Sequence, residues 1–427
     1  MSLFTKLARN SIWLLLARIG AQACMVIVTY LLARRLGTAG FGEYAFIATA
    51  IVIGNTLTTF GSDMYIIREI AAKSDFSALP SVLMLQLVLS ILFIVCVFLL
   101  DPHLPNQRPE SMLALKVYSL ALIPLAFFTV FTSMLRGAQR MTSYAWLNFL
   151  VPAVQVIAIF VFIQRGTGIV TLAWLLLGIQ TLGTVLGGVF CAGLFPGFWQ
   201  GLSFSWDTFK SLFVACLPIA LIAIVGIVYQ KLSLTMLSFL GTASMVGLFS
   251  AAARVIEAAR MGHVAACTVL YPAMANTDQD SLSRGTIRLS WILLLAISIA
   301  GSILLFLLAK PIVEIVFGAE YRSSIPVLKV LAFTLIPYTV NSFLSLLFLA
   351  KKKEKIVLRV LTVSVFMLLT LNFWLIPRAG QVGASWAILI TEITQAVLFL
   401  LAWLNSSFHQ VDNVHVKGVQ YELSDLS

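Results

Sequence analysis

Six charged side chains stand deep inside stretches that are otherwise apolar enough to cross a bilayer: Arg18, Lys231, Arg254, Glu257, Arg260 and Glu392. A charge in hydrocarbon costs several kcal/mol on any insertion scale, so each should face a partner or a watery interior. Arg18, Lys231 and Arg254 are the deepest cations, and the guanidinium fork suits the paired oxygens of a phosphate. They predict a cationic cavity for an anionic ligand. A lipid-linked diphosphate suits it, as would an anionic drug or a nucleotide. Glu257 lies three residues after Arg254 and three before Arg260, so it can neutralise either neighbour. These residues form a charge network, which either couples transport or only braces its helix. Glu392 is a lone carboxylate that can carry a proton or serve as the buried partner of a Lys or Arg, and both readings stay open. Lys116 and Lys329 lie nearer to helix ends, where long stems reach the headgroups. Buried amides such as Gln86, Gln155, Asn341 and Asn372 can bind sugar hydroxyls or join helices.

Other chemistry finds no footing. The cysteines (Cys24, Cys96, Cys191, Cys216, Cys267) form no C-x-x-C, and His103, His263, His409 and His415 are scattered, so neither a metal nor a cofactor is expected. No phosphate loop of the G-x-x-x-x-G-K-[ST] kind occurs, which excludes a nucleotide-driven pump of that type. Nothing calls for nucleic acid as a partner.

The elements that must position these charges are membrane helices. Hydrophobic residues make up 60% of the chain and charged residues 11%, with a mean hydropathy of +1.00, too little charge for a soluble domain. The pattern predicts an all-α integral membrane protein of about twelve transmembrane helices. They run near 11–33, 42–60, 80–100, 112–135, 144–164 and 168–194, then 208–237, 244–272, 287–309, 323–350, 356–376 and 380–404. Leu36-Gly37-Thr38-Ala39, at a glycine-rich turn, recurs as Leu240-Gly241-Thr242-Ala243. In a similar register Arg165 answers Arg378, and Trp174 answers Trp386. This predicts a parallel pseudo-repeat: two six-helix lobes (1–200 and 201–404) around a central cavity, with a tail at 405–427. The stretch 194–206 reads as an interfacial linker.

Loop Lys and Arg are commoner on the side of the N-terminus, with much weight on Lys351, Lys352, Lys353 and Lys355. The positive-inside rule therefore predicts cytoplasmic termini and a cytoplasmic tail, and the cluster is also suited to anionic lipid.

Asn10-Ser11-Ile12-Trp13, the Arg18 region, Leu32 through Tyr44, Gly61 and Ile67-Arg68-Glu69-Ile70-Ala71 resemble the opening of the Wzx-type O-antigen and capsule flippases. Leu135-Arg136-Gly137-Ala138-Gln139-Arg140 is similar to a later landmark. These flippases belong to the MOP superfamily, as do MATE drug exporters and lipid II flippases. The resemblance implies a multi-pass protein of the bacterial cytoplasmic (inner) membrane. It would flip an undecaprenyl-diphosphate-linked oligosaccharide repeat unit of O-antigen, capsule or exopolysaccharide to the periplasmic leaflet by alternating access, without being an enzyme. It implies substrate-binding roles for Arg18, Arg254 and Lys231, and Arg68 and Glu69 are candidates for a cytoplasmic gate. Membrane lipids, a polysaccharide polymerase and chain-length machinery would be its partners. The alternatives are a MATE-type antiporter, which calls for acidic cavity residues, and a membrane polymerase or ligase, which calls for larger outer loops.

Overall fold

The computed structural model describes the backbone apart from residues 1–2, 74–75, 101–107, 196–203, 276–280, 352 and 425–427, and side chains apart from those and 3–18, 262–284, 286–288 and 406–427. The described residues are helical, as the apolar runs require: a backbone without water partners must satisfy its own hydrogen bonds. α1 (Leu3–Thr59) is broken at one residue, Gly37, with φ 68° and ψ −176°. A positive φ at this ψ is a backbone region open essentially to glycine alone, so the break falls at this single position. The first arm, 3–36, and the second, 38–59, thus cross the membrane in opposite senses with no loop between them. The sequence reading ended the first helix near 33; it continues up to Gly37.

α2 (Ser62–Lys73) continues the second crossing. α3 (Leu79–Leu100), α4 (Pro109–Ser119) with α5 (Leu122–Gly137), α6 (Met141–Phe162) and α7 (Ile169–Leu194) complete the first half. The second half opens with α8 (Trp206–Leu240), α9 (Ala243–Ala275) and α10 (Ser281–Leu307). A composite crossing follows, made of α11 (Ala309–Ile312), a π turn (Val313–Phe317), a 3-10 turn (Ala319–Ser324), α12 (Ile325–Ala332) and α13 (Leu335–Ala350). α14 (Glu354–Ser424) closes the chain and is itself broken at Gly380, φ 53°. Among the described residues eight helices are long and apolar enough to cross a membrane, nine if the bent pair 319–332 and 335–350 is one span. Taking α1 and α14 as two crossings each at their glycine breaks, and adding α9, gives the twelve expected. The proposed boundary at 200 falls outside the described residues, as do the side chains of the tail.

An even number of crossings puts both chain ends on one face; the opposite face is called distal here. Large apolar side chains such as Leu92, Leu99, Ile157, Phe162, Val189, Leu307 and Phe373 are exposed on the outer surface, as lipid contact demands. The largest buried cluster instead joins the halves, with Val28, Leu32 and Phe41 beside Val246, Phe249, Phe317 and Tyr321.

The repeated corners meet. A Cβ on Gly42 would lie 1.8 Å from the Ala243 carbonyl oxygen, and one on Gly247 would lie 1.9 Å from that of Thr38. The contact is reciprocal, Thr38/Gly42 against Ala243/Gly247, as a two-fold relation between the halves requires. Small residues let the two backbones touch. The Ser244 hydroxyl also hydrogen-bonds that of Thr38 at 3.0 Å. This distal seam is reinforced from the segment 310–322, expected as a loop but wound into helical turns. Arg34 donates to the carbonyls of Glu314, Ile315 and Val316 at 3.4, 2.6 and 3.3 Å. The buried Tyr321 hydroxyl donates to the carbonyls of Ala33 and Gly37 at 3.2 and 3.0 Å. Arg35 caps α6 through the carbonyls of Ile159, Phe160 and Ile163.

Candidate functional site

Lys231 lies nine residues before the distal end of α8, and Arg254 and Glu257 follow eleven and fourteen residues after the distal start of α9. At 1.5 Å per residue all are roughly 13–21 Å inside the helical layer. Their side chains converge. Lys231 Nζ lies 3.0 Å from Glu257 Oε1, and Arg254 Nη1 lies 3.0 Å from Glu257 Oε2. One carboxylate therefore spans two cations, each on its own oxygen, and the group retains one net positive charge. It is open rather than sealed: the side chains of Glu257, Arg254 and Lys231 are 42%, 30% and 18% exposed. On the same helix Ala251, Ala252 and Ile256 share a buried cluster with Phe41 and Tyr44 of the second arm of α1, so this stretch of α9 packs against the first half.

The sequence left Glu257 free to neutralise either Arg254 or Arg260. It takes Arg254 and Lys231, and Arg260 turns elsewhere. Arg260 Nη2 lies 3.6 Å from Glu392 Oε1 on α14, donates to the Thr334 hydroxyl at 3.0 Å, and its guanidinium stacks 4.1 Å from the centre of the Tyr338 ring. Glu392, 3% exposed, also accepts from the Asn341 amide at 2.7 Å, and the buried Tyr229 hydroxyl lies beside it. The lone carboxylate thus has the cationic partner that one of its two readings requires. This second pair is neutral, with its carboxylate buried and Arg260 24% exposed. The first cluster keeps a net positive charge, and its carboxylate is 42% exposed.

The remaining expected residues disperse. The Arg18 side chain lies outside the described residues. Arg68 is exposed on α2, and Glu69 is held by Lys73 one turn along the same helix at 3.1 Å. Lys116 and Lys329 lie against the rings of Phe98 and Phe306. Gln86 donates to Ser62 and Asn372 to Ser233, each joining two helices. Thr334 and Tyr338 were not singled out from the sequence; their one signal is a polar pair one turn apart at the start of α13.

The geometry can exchange ion partners: a multiply charged anion entering from the space between the halves would compete with Glu257 for Lys231 and Arg254. No group here is arranged as a nucleophile with its base.

The family described as polysaccharide biosynthesis protein matches residues 7–278. No curated protein matches the sequence. Among solved structures, an inward-closed lipid II flippase MurJ superposes with a TM-score of 0.76 at 14% identity, over 92% of this chain and 87% of that one. An inward-facing multidrug resistance MATE transporter of the MOP superfamily gives 0.73 at 15% identity, over 91% and 94%. A MOP superfamily transporter from Pyrococcus furiosus, described by the reverse polarity of its binding pocket, gives 0.67 at 15% identity, over 94% and 95%. At these identities the likeness is one of fold.

Proposed function

This chain belongs to the polysaccharide biosynthesis protein family, and from that premise we propose that it is a flippase for an undecaprenyl-diphosphate-linked oligosaccharide. It is a multi-pass integral membrane protein with the MOP transporter fold. In our reading it lies in the bacterial cytoplasmic membrane with both termini in the cytoplasm, which makes the distal face periplasmic. The two halves, near 1–200 and 201–404, rock about the distal seam. With that seam shut, substrate enters from the cytoplasmic side. It leaves when the seam parts, and its lipid tail stays in the bilayer throughout. O-antigen, capsule and exopolysaccharide units all fit this description, and a polymerase with its chain-length machinery is the natural consumer of the product.

One observation carries the reading: the partly exposed Lys231–Glu257–Arg254 cluster, deep within the helical layer and with a net positive charge. A diphosphate offers several oxygens to both cations at once, and Arg18, one helical arm away, is assigned to the same cavity. Export of a cationic drug would need accessible carboxylates free of cations. Among the described residues Glu257 is shared by two cations, and Glu392 is buried against Arg260.

The test is surface-polysaccharide export in cells that carry Arg254→Ala, Lys231→Ala or Arg18→Ala, with membrane levels measured in parallel. Loss of export at normal membrane abundance is expected for each. Normal export from both Arg254→Ala and Lys231→Ala would rule out the cationic cavity as the carrier of the head group.

A further inference from the structure

Beyond the charge cluster, at the distal end of the seam, lies a second concavity of about 810 Å³, within the size range of small-molecule sites. The first half supplies Ala39, Glu43, Arg108 and Ser111. The second supplies the turn Leu240–Met245 and the Gly380 break, from Ile376 to Gln381. Glu43, 8% exposed, forms an ion pair through its Oε1 with the exposed Arg108 guanidinium at 3.2 Å, so this wall carries a charged pair. Ser111 is fully buried, and its hydroxyl has no hydrogen-bond partner among the described residues.

The lining says what kind of ligand that is. Donors and acceptors both line the cavity: the Arg108 and Arg378 guanidiniums, the Glu43 carboxylate, the Gln381 amide and the hydroxyls of Thr242 and Ser244, of which Ser244 also bonds Thr38. The apolar part is limited to side chains such as Leu240, Met245 and Ile376, with no aromatic ring among the described residues. A lipid chain or an aromatic drug would leave these polar groups unpaired. A polyhydroxylated ligand can donate to Glu43, accept from the arginines and lay its C–H faces on the aliphatic patch.

We propose that this vestibule is a carbohydrate-binding site, separate from the charge cluster, which holds a short oligosaccharide on the distal face while the seam is shut. Its walls come from both halves and meet over the Thr38/Gly42–Ala243/Gly247 contact, so parting the seam takes the site apart. A glycan bound there favours the closed seam by as much as it prefers the assembled site. Released product would in this way bias the transporter back toward loading. The ligand class rests on the flippase reading; the site and its dependence on the seam do not.

The experiment uses the full chain in detergent. The probe is the soluble glycan pool released by mild acid from the polyprenyl-linked fraction of the native cells. Binding is measured for the unaltered protein, for Thr242→Trp, which fills the cavity from an exposed position, and for Glu43→Ala. It is also measured for Thr38→Cys/Ser244→Cys in a background without the native cysteines, where the 3.0 Å hydroxyl contact becomes a disulfide that locks the seam. Transport of lipid-linked oligosaccharide is assayed separately in proteoliposomes. The expected result is binding that falls at least tenfold in Thr242→Trp and Glu43→Ala but persists in the locked protein, which no longer transports. Transport with no glycan binding overturns the vestibule and leaves the flippase standing, as does binding that both single variants retain. Binding that the disulfide abolishes also overturns it. Binding with no transport in the unaltered protein keeps the sugar site and overturns the flippase.

Discussion

Replacing Glu257 by Gln should tighten, not loosen, the binding of a prenyl diphosphate. Glu257 holds Lys231 and Arg254 at 3.0 Å each, with its own side chain 42% exposed. Opposite charges about 4 Å apart are worth about 4 kcal/mol at an effective dielectric near 20 and about 1 kcal/mol in water. At this exposure each contact belongs near the watery end, about 1 kcal/mol. An incoming diphosphate that takes both cations must displace about 2 kcal/mol of existing attraction, which corresponds to roughly thirtyfold in Kd. The amide keeps the shape and removes most of that competition, so at least a tenfold gain in affinity is expected. Release should slow in proportion and lower the rate of transport. The assay is displacement of labelled farnesyl diphosphate from the purified protein, followed by transport in proteoliposomes. Unchanged or weaker binding in Glu257→Gln would refute the competition argument and leave Glu257 as a brace.

Other substitutions probe the frame around that cluster. Gly42→Ala places a methyl 1.8 Å from the Ala243 carbonyl oxygen, so the distal seam cannot shut. Disulfide yield between cysteines at 38 and 244 should fall severalfold in that background, and an unchanged yield would remove the seam from the account. Gly37→Ala forces a side chain to φ 68° and should cost about 1–3 kcal/mol, seen as a lower thermal midpoint in detergent. Arg260→Ala leaves the Glu392 carboxylate buried without its cation and should destabilise by about 3 kcal/mol, read by thermal unfolding. Adding Glu392→Gln should return much of that loss; no return would mean that the two residues are not energetically paired.

The frame was largely legible because it rests on local rules. Long apolar runs must be helices in lipid, and Leu36-Gly37-Thr38-Ala39 with its later copy marked corresponding corners of two halves. That these corners touch was not legible, since contact depends on how the halves meet. The choice made by Glu257 was hidden for a similar reason: Arg254 and Arg260 are equally near along the helix, and Lys231, from the neighbouring helix α8, decides between them. The stretch 310–322 reads as a loop because its carbonyls are capped by Arg34 and its own Tyr321 donates back to Ala33 and Gly37, contacts between residues nearly three hundred positions apart. Spacing along a chain carries no trace of such partners. The vestibule at Glu43 and Ser111 was equally silent, built as it is from turns of both halves.

The central claim is that the open cation cluster carries a lipid-linked diphosphate across the membrane. Its most direct measurement is the movement of fluorescently labelled undecaprenyl-diphosphate oligosaccharide between the leaflets of proteoliposomes that contain only this protein. The account predicts movement by the unaltered chain well above protein-free vesicles, and loss of that movement when Lys231→Ala and Arg254→Ala are combined. Movement that survives the double substitution, or none from the unaltered chain, would contradict it.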